Sequence, residues 1–185
     1  MRKIIASALV TLDGVAEDPG GYSGTSDGGW AQPYFVEESV RLSIEKLAGC
    51  DYFLCGRRTY EMFAAAWGDA EGPYADRLRS LPKLVASTTL KGDLTWNAKL
   101  LEGDAIAALK QLKEQDGGDI MMYGNPVLLR SLLENGLVDE LDLMLHPVLV
   151  GTGQKLFVDE TPATKLTLES HTALDNGVTI LTYRA

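Results

Sequence analysis

Two short segments hold the residues whose types and spacing could do chemistry. Asp51-Tyr-Phe-Leu-Cys-Gly56-Arg57-Arg58-Thr59-Tyr60 runs an apolar strand into a glycine and then a helix start. Asp119-Ile-Met-Met-Tyr-Gly124-Asn125-Pro126-Val-Leu-Leu does the same. A glycine lets the chain turn sharply and lets a ligand come close to the backbone. A helix N-terminus adds unpaired N–H groups and the positive end of a dipole, which suits phosphate. Two such junctions in one small protein point to a ligand with more than one phosphate. Arg57 and Arg58 bring fixed positive charge to the first junction, in a chain of formal net charge −9. Taken alone, the same residues also read as a turn followed by solvated arginines, and Asn125-Pro126 as plain helix capping.

The elements that must position these segments follow from the pattern around them. Residues 3–10 read as a core strand, and the basic-then-apolar start lacks the small-residue cleavage site of a leader. Residues 13–33 form a long glycine-rich loop, and a loop of that length in a compact domain is usually functional. Val36, Val40, Ile44 and Leu47 recur at helical spacing from about residue 35 to 47, with Gly49 ending the helix. A strand over 51–55, a short helix over 74–80 between Pro73 and Pro82, and a strand from Lys83 to Ser87 come next. Asp104 caps a helix to about Gln115, stopped by Gly117-Gly118. After the strand at 119–123, Asn125 as N-cap and Pro126 at the first helical position start a helix that Gly136 ends.

Residues 139–149 read as a further strand, reaching Gly151-Thr-Gly153, a turn or bulge. Asp175-Asn176-Gly177 joins two last strands, about 165–173 and 178–184, as a hairpin. The pattern is alternating β and α closed by an antiparallel hairpin. It predicts a single α/β domain over residues 1–185, with a mixed, mostly parallel sheet between helical layers.

Composition narrows the function. Hydrophobic residues make up 45% and charged residues 23%, as in ordinary globular proteins. The acidic balance argues against a nucleic-acid partner, since neutralising phosphates needs clustered Lys and Arg. No apolar run approaches the ~20 residues of a membrane span. Cys50 and Cys55 on one strand would lie about 17 Å apart, too far to bridge, so they read as buried small hydrophobes of a cytoplasmic protein. Two histidines and no CxxC pair give no zinc signature, and His146 beside Pro147 reads as structural.

Further motifs lie in order along nearly the whole chain: Thr11-Leu-Asp13-Gly14, Leu81-Pro-Lys-Leu-Val-Ala-Ser87, Gly136-Leu-Val-Asp139-Glu140-Leu, and His146-Pro-Val-Leu-Val-Gly-Thr-Gly153 with Leu156-Phe157. With the two glycine junctions, they make the chain resemble the dihydrofolate reductase superfold. More specifically, it is similar to the C-terminal reductase domain of the bifunctional riboflavin-biosynthesis deaminase-reductase and to stand-alone proteins built on it. The resemblance implies NADPH lying along the carboxyl ends of the strands. Gly56, Arg57, Arg58 and Thr59 would hold the pyrophosphate and 2′-phosphate. Ser87 and Thr88 would sit by the adenosine, and Gly124 and Asn125 under the pyrophosphate and nicotinamide ribose. The two arginines favour NADP over NAD, because a 2′-phosphate dianion wants guanidinium partners.

Hydride transfer to C=N or C=O needs a proton delivered to the heteroatom, commonly by a carboxyl group. In dihydrofolate reductase that acid lies early in the first helix a few residues past a tryptophan, which here makes Glu37 or Glu38, after Trp30, the acid. Asp13 is the third candidate. Trp30, Trp67 and Tyr123 could stack on a flat ring, with Trp67 reading rather as packing. Each acid has a plain structural alternative, as a helix-start residue or an Asp-Gly turn. The chain departs from the family pattern at three points. Ser7 stands where the riboflavin reductase has a lysine, Glu61-Met-Phe-Ala replaces an Asp-Pro pair, and Gly124-Asn125 replaces the Gly-Gly pair, often cis, of dihydrofolate reductase.

The expected function is an NADPH-dependent reductase of a small pyrimidine- or pterin-like substrate, with residues 13–33 as part of a lid. The family's own substrates are the riboflavin-pathway pyrimidine 5-amino-6-(5-phosphoribosylamino)uracil and dihydrofolate. Family analogy and the apolar strand at 139–149 suggest a homodimer. The alternative is a non-catalytic NADP-binding or assembly protein that kept the fold and lost the chemistry.

Overall fold

In the computed structural model, which describes residues 1–185, eight strands form one sheet. In chain order the elements are β1 (Ile4–Thr11), α1 (Glu37–Ala48), β2 (Cys50–Gly56), α2 (Arg57–Trp67), α3 (Pro73–Ser80), β3 (Lys83–Ala86) and β4 (Ala98–Leu100). They continue with α4 (Ala105–Glu114), β5 (Asp119–Tyr123), α5 (Pro126–Glu134), β6 (Glu140–His146), β7 (Thr167–Ala173) and β8 (Thr179–Arg184). The strand order is β4-β3-β2-β5-β1-β6-β8-β7. Strands β1 to β6 pair in parallel, and β8 runs against both its neighbours. This is the mixed, mostly parallel α/β sheet that the sequence pattern predicts. No helix is long and apolar enough to cross a membrane.

Period-2 alternation divides the strand side chains between two cores. Ile4, Ala6, Ala8 and Val10 of β1 join Leu54, Ile120 and Met122 under α4 and α5, whose Leu109, Leu128, Leu129 and Leu132 complete one face. Ile5 joins Phe53, Cys55, Val85 and Met121 under α1, α2 and α3 on the other. Strands sandwiched between helices bury both faces, so a polar side chain on either face stands out.

Several details differ from the sequence expectations, each for a local reason. The strand expected over 139–149 stops at His146, because Pro147 has no N–H for a ladder. It also lies between β1 and β8, so it offers no free edge to a second subunit. Strand β4 was not anticipated: it has three residues and follows Trp96 and Asn97, both at positive φ (59° and 52°), which hide it from any periodicity. Helix α1 starts at Glu37 rather than near Phe35, and the Val36 N–H is taken by the Ser39 hydroxyl. Cys50 and Cys55 are free, buried and on one strand, as their spacing requires. Burial pushes the Cys50 thiol up to about 11 and the Cys55 thiol up to about 12.

The long loop after β1 is held by its own polar groups. The Asp18 carboxylate accepts the N–H groups of Ser23 (2.9 Å) and Thr25 (3.3 Å) and the Thr25 hydroxyl (3.1 Å). Backbone pairing of Ala16 with Gln154 and of Gly14 with Leu156 ties the loop's start to the segment after β6.

Candidate active site

The two glycine junctions meet. Strands β2 and β5 are neighbours, so Gly56 and Gly124 end side by side. A Cβ placed on Gly56 would lie 2.0 Å from Asn125 Nδ2, so a side chain there would force Asn125 out of its place. Gly124 (φ 59°) and Asn125 (φ 60°) both lie in the left-handed region, and no peptide bond in the chain is cis. Glycine and asparagine are the residues that tolerate this conformation. The Asn125 Oδ1 accepts the Leu128 N–H at 3.0 Å and caps α5. Helix α2 has no such cap: its N-cap residue is Gly56, and no side chain satisfies its first turn. The open, ligand-ready helix end is therefore that of α2.

The arginines behind Gly56 differ in their ties. The Arg57 guanidinium bonds Glu61 (2.8 Å) and the Thr89 hydroxyl (3.2 Å). Arg58 is exposed and has neither an ion pair nor a hydrogen bond within the protein. In the loop after β3, the Ser87 hydroxyl accepts the N–H groups of Thr89 (3.2 Å) and Leu90 (3.0 Å). Gly56, Arg57, Arg58, Thr59, Ser87, Thr88, Gly124 and Asn125 all line one cavity of about 1180 Å³ along the carboxyl ends of the strands. Single small-molecule sites run to about 1,000 Å³, so this cleft has room for a large ligand with a smaller one beside it.

The acids expected to donate a proton do not line that cavity. Asp13 accepts hydrogen bonds from the Thr11 hydroxyl (2.6 Å) and the N–H groups of Val150 (3.3 Å) and Gly151 (2.7 Å). The Thr11 hydroxyl, then the Gly151 N–H, hold its carboxyl down at about 2. It clamps the loop after β6 and has no proton to give near neutrality. Glu37 and Glu38 lie exposed in the first turn of α1, where the helix dipole favours them, and Glu38 faces Arg41 at 3.9 Å. Trp30 does not reach the cavity either: its indole is buried, donates to the Glu17 carbonyl (2.8 Å) and meets His146 edge-on at 5.2 Å.

Other residues take that end of the cleft. Lys46, Ser39 and Ser43 of α1, Ser7 of β1, Tyr123 of β5, and Asp142 and His146 of β6 line it. The Asp142 carboxylate is paired with Lys46 and accepts the Thr182 hydroxyl at 2.7 Å. His146 sits edge-on to both Trp30 and Tyr34, donates from Nδ1 to the Met144 carbonyl (2.8 Å), and is held neutral by burial, which lowers its pKa. The strand Glu140-Leu-Asp-Leu-Met-Leu-His carried a signal for Asp142. Leucines alternate with Glu140, Asp142 and His146, which marks a polar face on a strand covered on both sides. Lys46 gave no such signal, since a lysine late in a helix reads as solvated.

This arrangement defines an α/β protein with a large cleft along the carboxyl edge of a mostly parallel sheet, where ligands usually bind on such sheets. The chain belongs to the RibD C-terminal domain family, whose model matches residues 2–180. It is 28% identical over 187 residues to the Bacillus subtilis (strain 168) protein YyaP, covering 98% of this chain and 94% of that one. Its fold is that of a putative riboflavin biosynthesis protein from Shewanella sp. PV-4 (TM-score 0.76, 21% identity, 98% of both chains). A diaminohydroxyphosphoribosylaminopyrimidine deaminase/5-amino-6-(5-phosphoribosylamino)uracil reductase from Thermotoga maritima shares it too (TM-score 0.67, 14% identity, 99% of this chain and 56% of that one). At these identities the solved structures establish the fold alone, a dihydrofolate reductase-like one.

Proposed function

We propose that the protein is a reductase that uses NADPH on a small heterocyclic substrate. One observation carries this reading: an uncapped helix N-terminus beneath Gly56, with the unpartnered Arg58 beside it, opens on the large cavity. The residues fit the cofactor. Gly56 leaves room where any Cβ would strike Asn125, the first-turn N–H groups of α2 suit a phosphate, and Arg58 suits a second, the 2′-phosphate. Ser87 and Thr88 would lie by the adenosine, and Gly124 and Asn125 by the nicotinamide ribose. When bound, NADPH supplies a hydride. The chain's own part is to orient the two ligands end to end and to keep bulk water from the buried strand row at the far end.

One finding favours a second reading. None of the carboxyl groups expected to protonate a substrate lines the cleft, which a nucleotide-binding protein without catalysis would also show. Titration with NADPH and NADH, followed by tryptophan fluorescence and then by the loss of NADPH absorbance on adding pyrimidine- and pteridine-diones, separates the two. NADPH binding with turnover supports the reductase. NADPH binding without turnover on any such ring supports the binding protein. Binding of neither nucleotide contradicts both.

A further inference from the structure

Four neighbouring strands carry a row of polar residues across the face that packs under α1. Tyr123 and Asp142 are both register partners of Ser7, and Thr182 is the partner of Asp142. The four residues therefore lie side by side across β5, β1, β6 and β8, on the face covered by α1. A carboxylate in the middle of such a face is costly unless it is paired and hydrogen-bonded. Asp142, with its side chain 1% exposed, has both kinds of partner: the Lys46 ammonium and the Thr182 hydroxyl. Ser7 is 5% exposed and lines the cavity, yet its hydroxyl has no hydrogen-bond partner in the protein. The oxygen opens on the cavity rather than being sealed from it, so it is free to meet a polar atom of a ligand there.

No free cation stands at this end. Lys46, Arg57 and Arg58 are the only cations lining the cavity, and both arginines belong to the α2 end. Lys46 is neutralised by Asp142, while Glu17 and Asp18 of the loop after β1 add negative charge to the wall. The remaining wall is apolar, including Leu42, Met144 and Ile180. A phosphate or carboxylate would find no free cation here, whereas a neutral ring with one hydrogen-bonding edge would find both partners and walls.

We infer that this end takes an uncharged oxo-heterocycle without phosphate, whose carbonyl oxygen accepts from the Lys46 ammonium and whose polar edge meets the Ser7 hydroxyl. Lys46 and Ser7 set specificity, and Asp142 and Thr182 are positioning residues that hold the ammonium over the row. The inference rests on the proposed function, in which NADPH takes the α2 end. It separates this chain from the phosphoribosylated uracil in the name of the Thermotoga protein.

The test uses lumazine, a neutral fluorescent pteridine-dione, and lumazine-6-carboxylate, its anionic counterpart, on the whole protein. Affinities are read by fluorescence on wild type, Lys46→Met and Ser7→Ala, with NADPH titrated into the same samples. Lumazine should bind wild type at least tenfold more tightly than the carboxylate. Lys46→Met should weaken lumazine tenfold or more, the loss expected for a hydrogen bond to a charged group. Ser7→Ala should weaken it about threefold with unchanged melting temperature, since that hydroxyl bonds nothing in the protein. NADPH affinity should not change in either variant. If Lys46→Met does not fold, Lys46→Met/Asp142→Leu replaces the pair by apolar side chains and is read instead. Equal binding of the carboxylate, absence of lumazine binding, or lumazine affinity indifferent to both substitutions would overturn the inference. Loss of NADPH binding alone, with the lumazine results intact, would overturn the proposed function and leave this site standing.

Discussion

Replacing Gly56 by alanine tests whether the two glycine junctions are locked together. The backbone at Gly56 is extended (φ −84°, ψ 173°), so alanine adopts it without strain. The whole penalty is steric: the new Cβ would stand 2.0 Å from Asn125 Nδ2 and 3.2 Å from its Cγ. Asn125 must swing away and release the Leu128 N–H that it caps at 3.0 Å. Overpacking of this kind costs about 1–3 kcal/mol, of which a lost N-cap accounts for about 1. For a chain of this size, 2 kcal/mol lowers the melting temperature by roughly 4–8 °C. The same substitution in an Asn125→Gly background has nothing to strike, and glycine keeps the left-handed backbone at 125. There Gly56→Ala should be neutral or stabilise by about 0.4–1 kcal/mol, by restricting the unfolded chain. Urea denaturation of the four proteins in the cycle reads the coupling. An unchanged cost of Gly56→Ala in both backgrounds would refute the packing argument.

Two further predictions concern titrating groups. His146 is held neutral by burial and its pKa lies below its ordinary value, so below about pH 6.5 the unfolded chain binds a proton that the folded chain does not. Stability should be complete above that pH and fall as the pH drops below it; His146→Phe should flatten the slope there by about one proton, and equal slopes would contradict the assignment. Cys50 and Cys55, with thiols pushed to about 11 and about 12, should resist a disulfide reagent in the folded protein at about pH 8 and react once unfolded. Rapid labelling of the native protein would show that β2 opens easily.

What the sequence made legible were the features with short-range causes. Asn125-Pro126 specifies a capped helix start within four residues, and Asp104 another, its carboxylate accepting the Ala107 N–H at 2.8 Å. The glycine junctions were visible because a strand, a glycine and a helix start are contiguous in the chain. Their contact with each other was not, since it depends on β2 and β5 being neighbours 60-odd residues apart. The same limit governs the far end of the cleft. Asp142, Lys46, Ser7 and Thr182 come from four elements, and only the alternation in β6 hints at one of them. Trp30, Glu37, Glu38 and Asp13 were conspicuous by type and order. Where their side chains point depends on the rotation of α1 and on the loop after β6, which no local pattern fixes.

The most direct measurement is the affinity of wild type and Arg58→Ala for NADPH and for NADH. Arg58 has no partner in the protein, so its removal should leave stability unchanged. If it holds the 2′-phosphate, NADPH affinity should fall roughly 10–100-fold, the worth of a charge-assisted hydrogen bond, while NADH affinity stays the same. Equal losses for both nucleotides, or none for either, would contradict the placement of the cofactor at the start of α2.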